Sequence, residues 1–303
     1  MYGSRGLGNL PYVLRACIDI GSNTTRLLVA ECDGGGLSER HQERSFTSIG
    51  RALGDDGAIG ADKLAEVVAV VHDQLVSARR AGATDVRCVA TASVRRAANA
   101  DELVERIRRR CEGLQVEILS PEDEARLAFL GASRTLAVPP DGPLGVVDVG
   151  GGSSEMVVGT VTGGVSWWAS FPLGSSDVTT ACLRSDPPSS EEFTSARDQV
   201  AAALAGTEPP PASAVVAVGG SATSLLRLVG PVLDADAFRR SLALLAGRRA
   251  GDLAGLFGLD VERVKLLPAG LLILEAMSRL FGLPLQIGGG GLREGVLLDA
   301  ARA

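Results

Sequence analysis

Two hydrophobic rhythms alternate along this chain. Residues 13–19 form a short apolar run rich in Ile, Val and Leu that predicts a strand. The polar turn Gly21-Ser22-Asn23-Thr24 follows. Residues 26–31 then predict a second strand and residues 41–48 a third. From 61 to 81 the spacing changes. Leu64, Val67, Val68, Val71 and Leu75 recur at helical intervals, with Asp62 near the start and Gly82 just past the end. A strand at 86–90, a helix at 100–110, a strand at 116–119 and a helix at 121–136 complete this half.

Val138-Pro139-Pro140-Asp141-Gly142-Pro143 breaks the pattern as a turn-rich linker. The pattern then restarts. Strands are predicted at 144–147, 154–159 and 165–171, the first two separated by Gly150-Gly151-Gly152. Helices follow at 175–183 and 189–204, then a Pro-rich loop at 207–212. A strand at 214–218 runs into Gly219-Gly220-Ser221 and a helix. Helices at 235–246 and 269–281, a short strand at 285–287, a glycine run and a final helix from Leu292 close the chain. Strands alternating with helices predict an α/β fold.

The restart is an internal repeat. Asp19-Ile20-Gly21-Ser22-Asn23-Thr24-Thr25 aligns with Asp148-Val149-Gly150-Gly151-Gly152-Ser153-Ser154, and the following strands also match. Each copy reads strand, Asp, glycine-rich polar turn, strand. That predicts a β-hairpin, unlike the strand-to-helix turn of a dinucleotide or Walker site. Glycine lets backbone N–H groups approach an anion, and Ser, Thr and Asn add donors. An Asp at the strand end can hold Mg²⁺ or orient water. Ordinary hairpin turns explain either copy alone; the matched pair points to phosphate. The third turn, at 219–221, suits an anion at a helix N-terminus or a simple cap by Ser221.

With 303 residues, 46% of them hydrophobic, the chain can bury two cores without staples. The five cysteines form no C-x-x-C pair and predict reduced thiols. Only His41 and His72 are histidines, which argues against a zinc site or a Ser-His-Asp triad. Both are expected to lack a special role, and Trp167 and Trp168 to pack the second half. A formal net charge of -6 disfavours nucleic acid as a partner. No stretch is apolar enough to span a membrane, and residues 1–12 read as a loose extension without a signal-type run. A cytoplasmic protein is expected.

Ser120-Pro121-Glu122-Asp123-Glu124 opens the last helix of the first half. Ser at the N-cap, Pro next and acids in the first turn are what a capped helix prefers. Capping accounts for Ser120, Pro121, Glu122 and Asp123, and spacing singles out no catalytic acid.

On these residues the chain resembles the Ppx/GppA family of exopolyphosphatases and guanosine pentaphosphate phosphohydrolases, within the actin-like ATPase superfamily. The resemblance runs from about residue 16 to 298. Its ordered motifs are Asp-Ile-Gly-Ser-Asn-Thr at 19–24, Ala-Thr-Ala-Ser-Val-Arg at 90–95, Glu-Asp-Glu-Ala-Arg-Leu at 122–127 and Asp-Val-Gly-Gly-Gly-Ser-Ser-Glu at 148–155. Pro-Ala-Gly at 268–270 and Leu-Arg-Glu-Gly-Val-Leu at 292–297 complete them. Sugar kinases, acetate-kinase-like enzymes and actin-like ATPases share the doubled hairpin; the acidic run and the last motif favour the phosphatase branch.

The resemblance implies a duplicated actin-like (ribonuclease H-like) fold with a central cleft. It divides the chain into residues 13–137 with 289–303, and residues 138–288. It implies Glu124 as the acid that activates water, and Asp148 with Glu155 at Mg²⁺. Ser22, Asn23, Thr24, Arg95, Gly151, Gly152 and Ser153 are implied as phosphate contacts, with Gly220 and Ser221 as further ones. The implied substrate is polyphosphate, with guanosine pentaphosphate (pppGpp) hydrolysis or a non-catalytic sensor as alternatives. A homodimer is also implied. Ser48 and Lys265 depart from the usual Arg and Asp, and the chain lacks the helical extension of longer members, which implies shorter polymers.

Overall fold

The computed structural model describes residues 13–33 and 36–301; the extension expected at 1–12 lies outside them. The strands β1 (Val13–Ile20) and β2 (Thr25–Asp33) form the first hairpin, and β3 (Gly36–Ser45) adds to it antiparallel. A 3₁₀ turn, Ile49–Ala52, and α1 (Ala61–Arg80) lead to β4 (Asp85–Ala90), which runs parallel to β1. Then come α2 (Ala92–Arg96), α3 (Ala100–Arg110), β5 (Val116–Ile118) and α4 (Pro121–Arg134).

The second half opens with β6 (Leu144–Val149), β7 (Ser154–Thr160) and β8 (Gly164–Phe171). It continues through α5 (Ser175–Cys182), α6 (Ser190–Leu204), β9 (Ala214–Val218), α7 (Gly219–Val229), β10 (Val232–Leu233) and α8 (Ala235–Gly247). Last come α9 (Ala250–Phe257), α10 (Val261–Val264), α11 (Leu267–Phe281), β11 (Leu285–Ile287) and α12 (Leu292–Ala300).

The sheets are ordered β3-β2-β1-β4-β5 and β10-β11-β9-β6-β7-β8. Each begins as a three-strand antiparallel meander and continues with two parallel strands through helical crossovers, the second sheet adding β10 antiparallel at its edge. The second sheet thus repeats the first, and the fold is the duplicated actin-like α/β fold.

Packing explains the apolar runs. β1 and β6 are covered on both faces, so their residues are apolar on both. Ile18, Ile20 and Leu27 meet Leu64, Val67 and Leu103 on one side of the first sheet. On the other side Cys17, Leu28 and Ala30 meet Leu127, Val296 and Leu297 of α4 and α12. The helix α4 also lies against the second sheet, through Ala125, Phe129 and Ala132 on Val146, Val157 and Val218. It is therefore wedged between the sheets. It crosses α12 at glycines: a Cβ on Gly295 would lie 1.9 Å from the Leu127 carbonyl oxygen.

Three expectations are corrected. The third strand is Gly36–Ser45 and stops short of Ser48. It is polar and mostly exposed, so burial supplies no periodic signal. Residues 47–50 instead brace the first turn, Ser48 N–H donating to Asn23 O and Gly50 N–H to Ser22 O, both at 2.9 Å. Of the two tryptophans, Trp167 packs on the second core while Trp168 is exposed. The helices α2, α9 and α10 were not anticipated; α2 and α10, of five and four residues, are too short for a period to emerge.

Candidate active site

The two hairpin turns are built alike. Gly21 N–H donates to Thr24 O, and Gly150 N–H donates to Ser153 O, each at 3.0 Å. In the strands behind them, Asp19 stands opposite Arg26 and Asp148 opposite Glu155. The turns meet face to face. A Cβ on Gly152 would lie 2.4 Å from Ser22 Oγ, and one on Gly151 would lie 3.3 Å from the Asn23 Cβ. The glycines are required because one turn's backbone lies on the other's side chains. The third turn closes in from the second sheet. Gly219 has φ of 84°, and a Cβ there would lie 2.3 Å from Asp148 Oδ1. Together with Gly288 to Gly291 these turns line a cleft of about 560 Å³.

Seven carboxylates line the cleft: Asp19, Glu124, Asp148 and Glu155 around the paired turns, and Glu39, Asp260 and Glu294 among the arginines that also line it. Burial and mutual repulsion make the charged forms of the first four costly. Asp19 and Asp148 are each raised to about 6, by desolvation first. Glu155 is raised well above the usual carboxylate range, by burial and then by Glu124 and Asp148. Its Oε1 accepts from Ser170 Oγ at 2.9 Å. Glu124 is raised to about 7, again mainly by burial, while Arg95 pulls the other way.

The start of α4 now sorts its acids. Ser120 Oγ accepts from Asp123 N–H at 3.0 Å and donates to the Asp123 carboxylate at 2.6 Å. Asp123 therefore belongs to the cap. Glu122 is exposed, whereas Glu124 is buried and turned into the cleft. The Arg95 guanidinium donates to Glu124 Oε1 and, at 2.6 Å, to Leu119 O.

The cleft is also rich in cations. Arg26, Arg44, Arg227, Arg263 and Arg293 all line the cleft. Among the described residues only Arg293 of these has a carboxylate within ion-pair range, Glu294 at 3.7 Å. Arg26 is half-buried, and its buried Nε makes no hydrogen bond. Burial, and then Arg293 and Arg44, lower it to about 9. Arg263 is lowered to about 10 by burial and then by Arg44. Stacking like charges is costly, so this cluster is prepared for an anion. Sequence reasoning assigned none of these five arginines. Arg26 had a readable signal: it occupies in the first hairpin the place that Glu155 holds in the second. The others come from separate elements that only folding gathers.

Of the residues expected at the site, Ser22, Asn23, Thr24, Glu124, Asp148, Gly151, Gly152, Ser153, Glu155 and Gly220 line the cleft. Arg95 and Ser221 do not. Arg95 stands behind Glu124, as described. Ser221 is neither a cap nor a lining residue: the N-cap of α7 is Val218, and Ser221 is buried toward Gly270, where a Cβ would lie 2.5 Å from its Oγ. Thr223 and Ser224, one turn further, line the cleft in its place. Arg96, the neighbour of Arg95, bridges to the second half. Its Nη1 donates to Gly152 O at 3.1 Å, and its guanidinium lies 3.5 Å from the Asp177 carboxylate on α5.

Twin acid-headed turns touching across a cleft, with a buried acid on the wedged helix, reproduce the ordered motifs in space. A family model, the Ppx/GppA phosphatase family, matches residues 28–303. The chain belongs to the Ppx/GppA phosphatase family. Exopolyphosphatase 1 of Mycobacterium tuberculosis is 31% identical over 302 residues, covering 93% of this chain and 86% of that protein. The crystal structure of the Aquifex aeolicus family member is similar with a TM-score of 0.81 at 30% identity, over 96% of this chain and 98% of that one. An exopolyphosphatase from Cytophaga hutchinsonii shares the fold with a TM-score of 0.83 at 20% identity, over 95% of this chain and 98% of that one.

The donor set of this Ppx/GppA chain fits a hard divalent cation. Mg²⁺ takes oxygen ligands, commonly one or two carboxylates completed by phosphate oxygens and water. Asp19 and Asp148 both face the cleft, and Asp19 Oδ1 is buried without a hydrogen bond. No group of three or more His, Cys, Asp and Glu side chains suited to a metal occurs among the described residues. The fit is therefore to an ion shared with a phosphate ligand rather than to a closed protein cage. No helix among the described residues is long and apolar enough to cross a membrane.

Proposed function

We propose that this protein releases terminal phosphate from inorganic polyphosphate by attack of water. The observation that carries the proposal is the charge of the cleft: carboxylates at the paired turns, together with five arginines of which four have no ion pair among the described residues. A polymer of repeating negative charge can engage several such cations at once. Val149, Leu259 and Leu292 are the only aliphatic side chains among the cleft-lining residues and none is aromatic, so the cleft offers no continuous apolar floor, which favours an inorganic chain over a nucleotide that needs a surface for its base.

In this reading the phosphates near the scissile bond sit on the backbone and hydroxyls of Ser22, Asn23, Thr24, Gly151, Gly152 and Ser153, and on the first turn of α7 at Gly220. The arginines bind the following links, bidentately where geometry allows. Glu124 accepts the proton of the attacking water. A buried carboxylate near neutral pH is suited to that task. Arg95 orients Glu124 and limits how far burial raises its proton affinity. Asp148 and Asp19 would hold Mg²⁺, with Glu155 beside Asp148; when bound, the ion neutralises charge on the phosphate oxygens. Positioning and electrostatics then carry most of the acceleration. The reading takes residues 13–137 with 289–303 as one domain and 138–288 as the other, closing on the substrate as a pair.

Phosphate release from polyphosphates of defined length and from pppGpp, with and without Mg²⁺, tests it. Mg²⁺-dependent release that is faster from polyphosphate is expected. Turnover of pppGpp alone would transfer the assignment to the nucleotide. No release from either would end the catalytic reading.

A further inference from the structure

A second cavity, of about 480 Å³, shares no lining residue with the cleft. Its size suits a small ligand. The floor is aliphatic, formed by Leu183, Leu245, Leu253, Val264 and Pro268. The rim is cationic: Arg51, Arg184, Arg248 and Lys265. Two carboxylates oppose these four charges, and both are engaged. Glu262 is shared by Arg51 at 3.6 Å and Lys265 at 2.6 Å. Asp186 accepts from the Ala250 N–H at 2.7 Å. Arg184 and Arg248 have no ion pair among the described residues. The rim also joins the two halves, because Arg51 follows the first sheet's meander whereas the other rim residues belong to the second half.

We propose that this cavity binds an organic phosphate of the nucleotide class. The apolar body would rest on the leucine floor, and the phosphates would take Arg184 and Arg248. An inorganic chain has no part that gains from the floor, so floor and rim together select an amphipathic anion. The site is separate from the cleft and stands whether or not polyphosphate is the substrate.

Calorimetric titration with ADP tests the proposal on the full chain. Three proteins are compared: the wild type, the double variant R184A/R248A and the cleft variant R44A. Both rim residues are exposed, so the double variant should fold and hydrolyse as the wild type does. The expected result is a tenfold or greater loss of ADP affinity in R184A/R248A, with affinity kept within twofold in R44A. Pyrophosphate, which lacks the body, should displace ADP poorly. Absence of ADP binding to the wild type at millimolar concentration overturns the proposal. So does undiminished affinity in the double variant, loss confined to R44A, or pyrophosphate displacing ADP as well as ADP itself does.

Discussion

At the scale of the residue, burial decides which carboxylate can act. Ser120, Pro121 and Asp123 are consumed by the cap of α4, and Glu122 faces water. Glu124, in the same turn, is 6% exposed and stands at about pH 7. Glu124→Gln keeps the shape and the contact with Arg95 but removes the proton acceptor. We expect its turnover to fall by about 10² to 10⁴ with folding intact, as losing a general base costs. The wild-type rate should decline as pH falls through about 7, where Glu124 takes up its proton. That limb should be missing from the residual activity of the variant. A pH profile of both proteins checks it.

The same groups govern stability. Asp19 and Asp148 are raised from 3.8 to about 6, and Glu124 from 4.5 to about 7. The folded chain therefore binds more protons than the unfolded chain between about pH 4 and 7, and stability rises as pH falls through that window. The cost of these buried charges is fully present above the window and gone below it. Exposed Glu105, held at about 2 by Arg108 and Arg109, has the opposite sign but acts only below its ordinary value of 4.5. Without divalent ions, Tm should be higher at pH 5 than at pH 8. A Tm that rises steadily from 5 to 8 would contradict the burial argument.

At the scale of the element, glycines set how closely backbones approach. The doubled turn was legible in the sequence because two copies of an Asp-headed, glycine-rich pattern must fold alike under the same local rules. The closeness of the copies was not, since it depends on which residues face Gly151 and Gly152. The α4–α12 crossing was equally hidden: Gly131 and Gly295 sit inside ordinary helical patterns. A methyl at Gly295 would drive into the Leu127 carbonyl, so α12 must shift. Gly295→Ala should cost about 1–3 kcal/mol, the usual range for overpacking. Because α4 carries Glu124, activity should fall further than the loss of folded protein explains. Urea denaturation and turnover, measured on one sample, separate the two effects.

At the scale of the whole molecule, the site exists only where the two halves meet. Arg96 reaches from α2 to the Gly152 carbonyl and to Asp177, which ties the first half to the turn of the second. Its ion pair with Asp177 is long, at 3.5 Å, and partly exposed, so most of its value lies in the hydrogen bond to Gly152, worth about 1 kcal/mol. Arg96→Ala should raise KM for polyphosphate roughly fivefold, the equivalent of that energy, and lower kcat less. An unchanged KM would show that Arg96 is a surface contact without influence on closure.

The sequence by itself determined the duplicated α/β plan, the two turns and the identity of the acids at them. These follow from local periodicity, turn chemistry and repetition, which neighbouring residues encode. Tertiary structure alone decided that Arg95 serves Glu124, that Ser221 turns inward, and that arginines from β2, β3, α7, α10 and α12 line one cleft. Those facts concern side chains far apart in the chain, and their charge and burial acquire values only when folding brings them together.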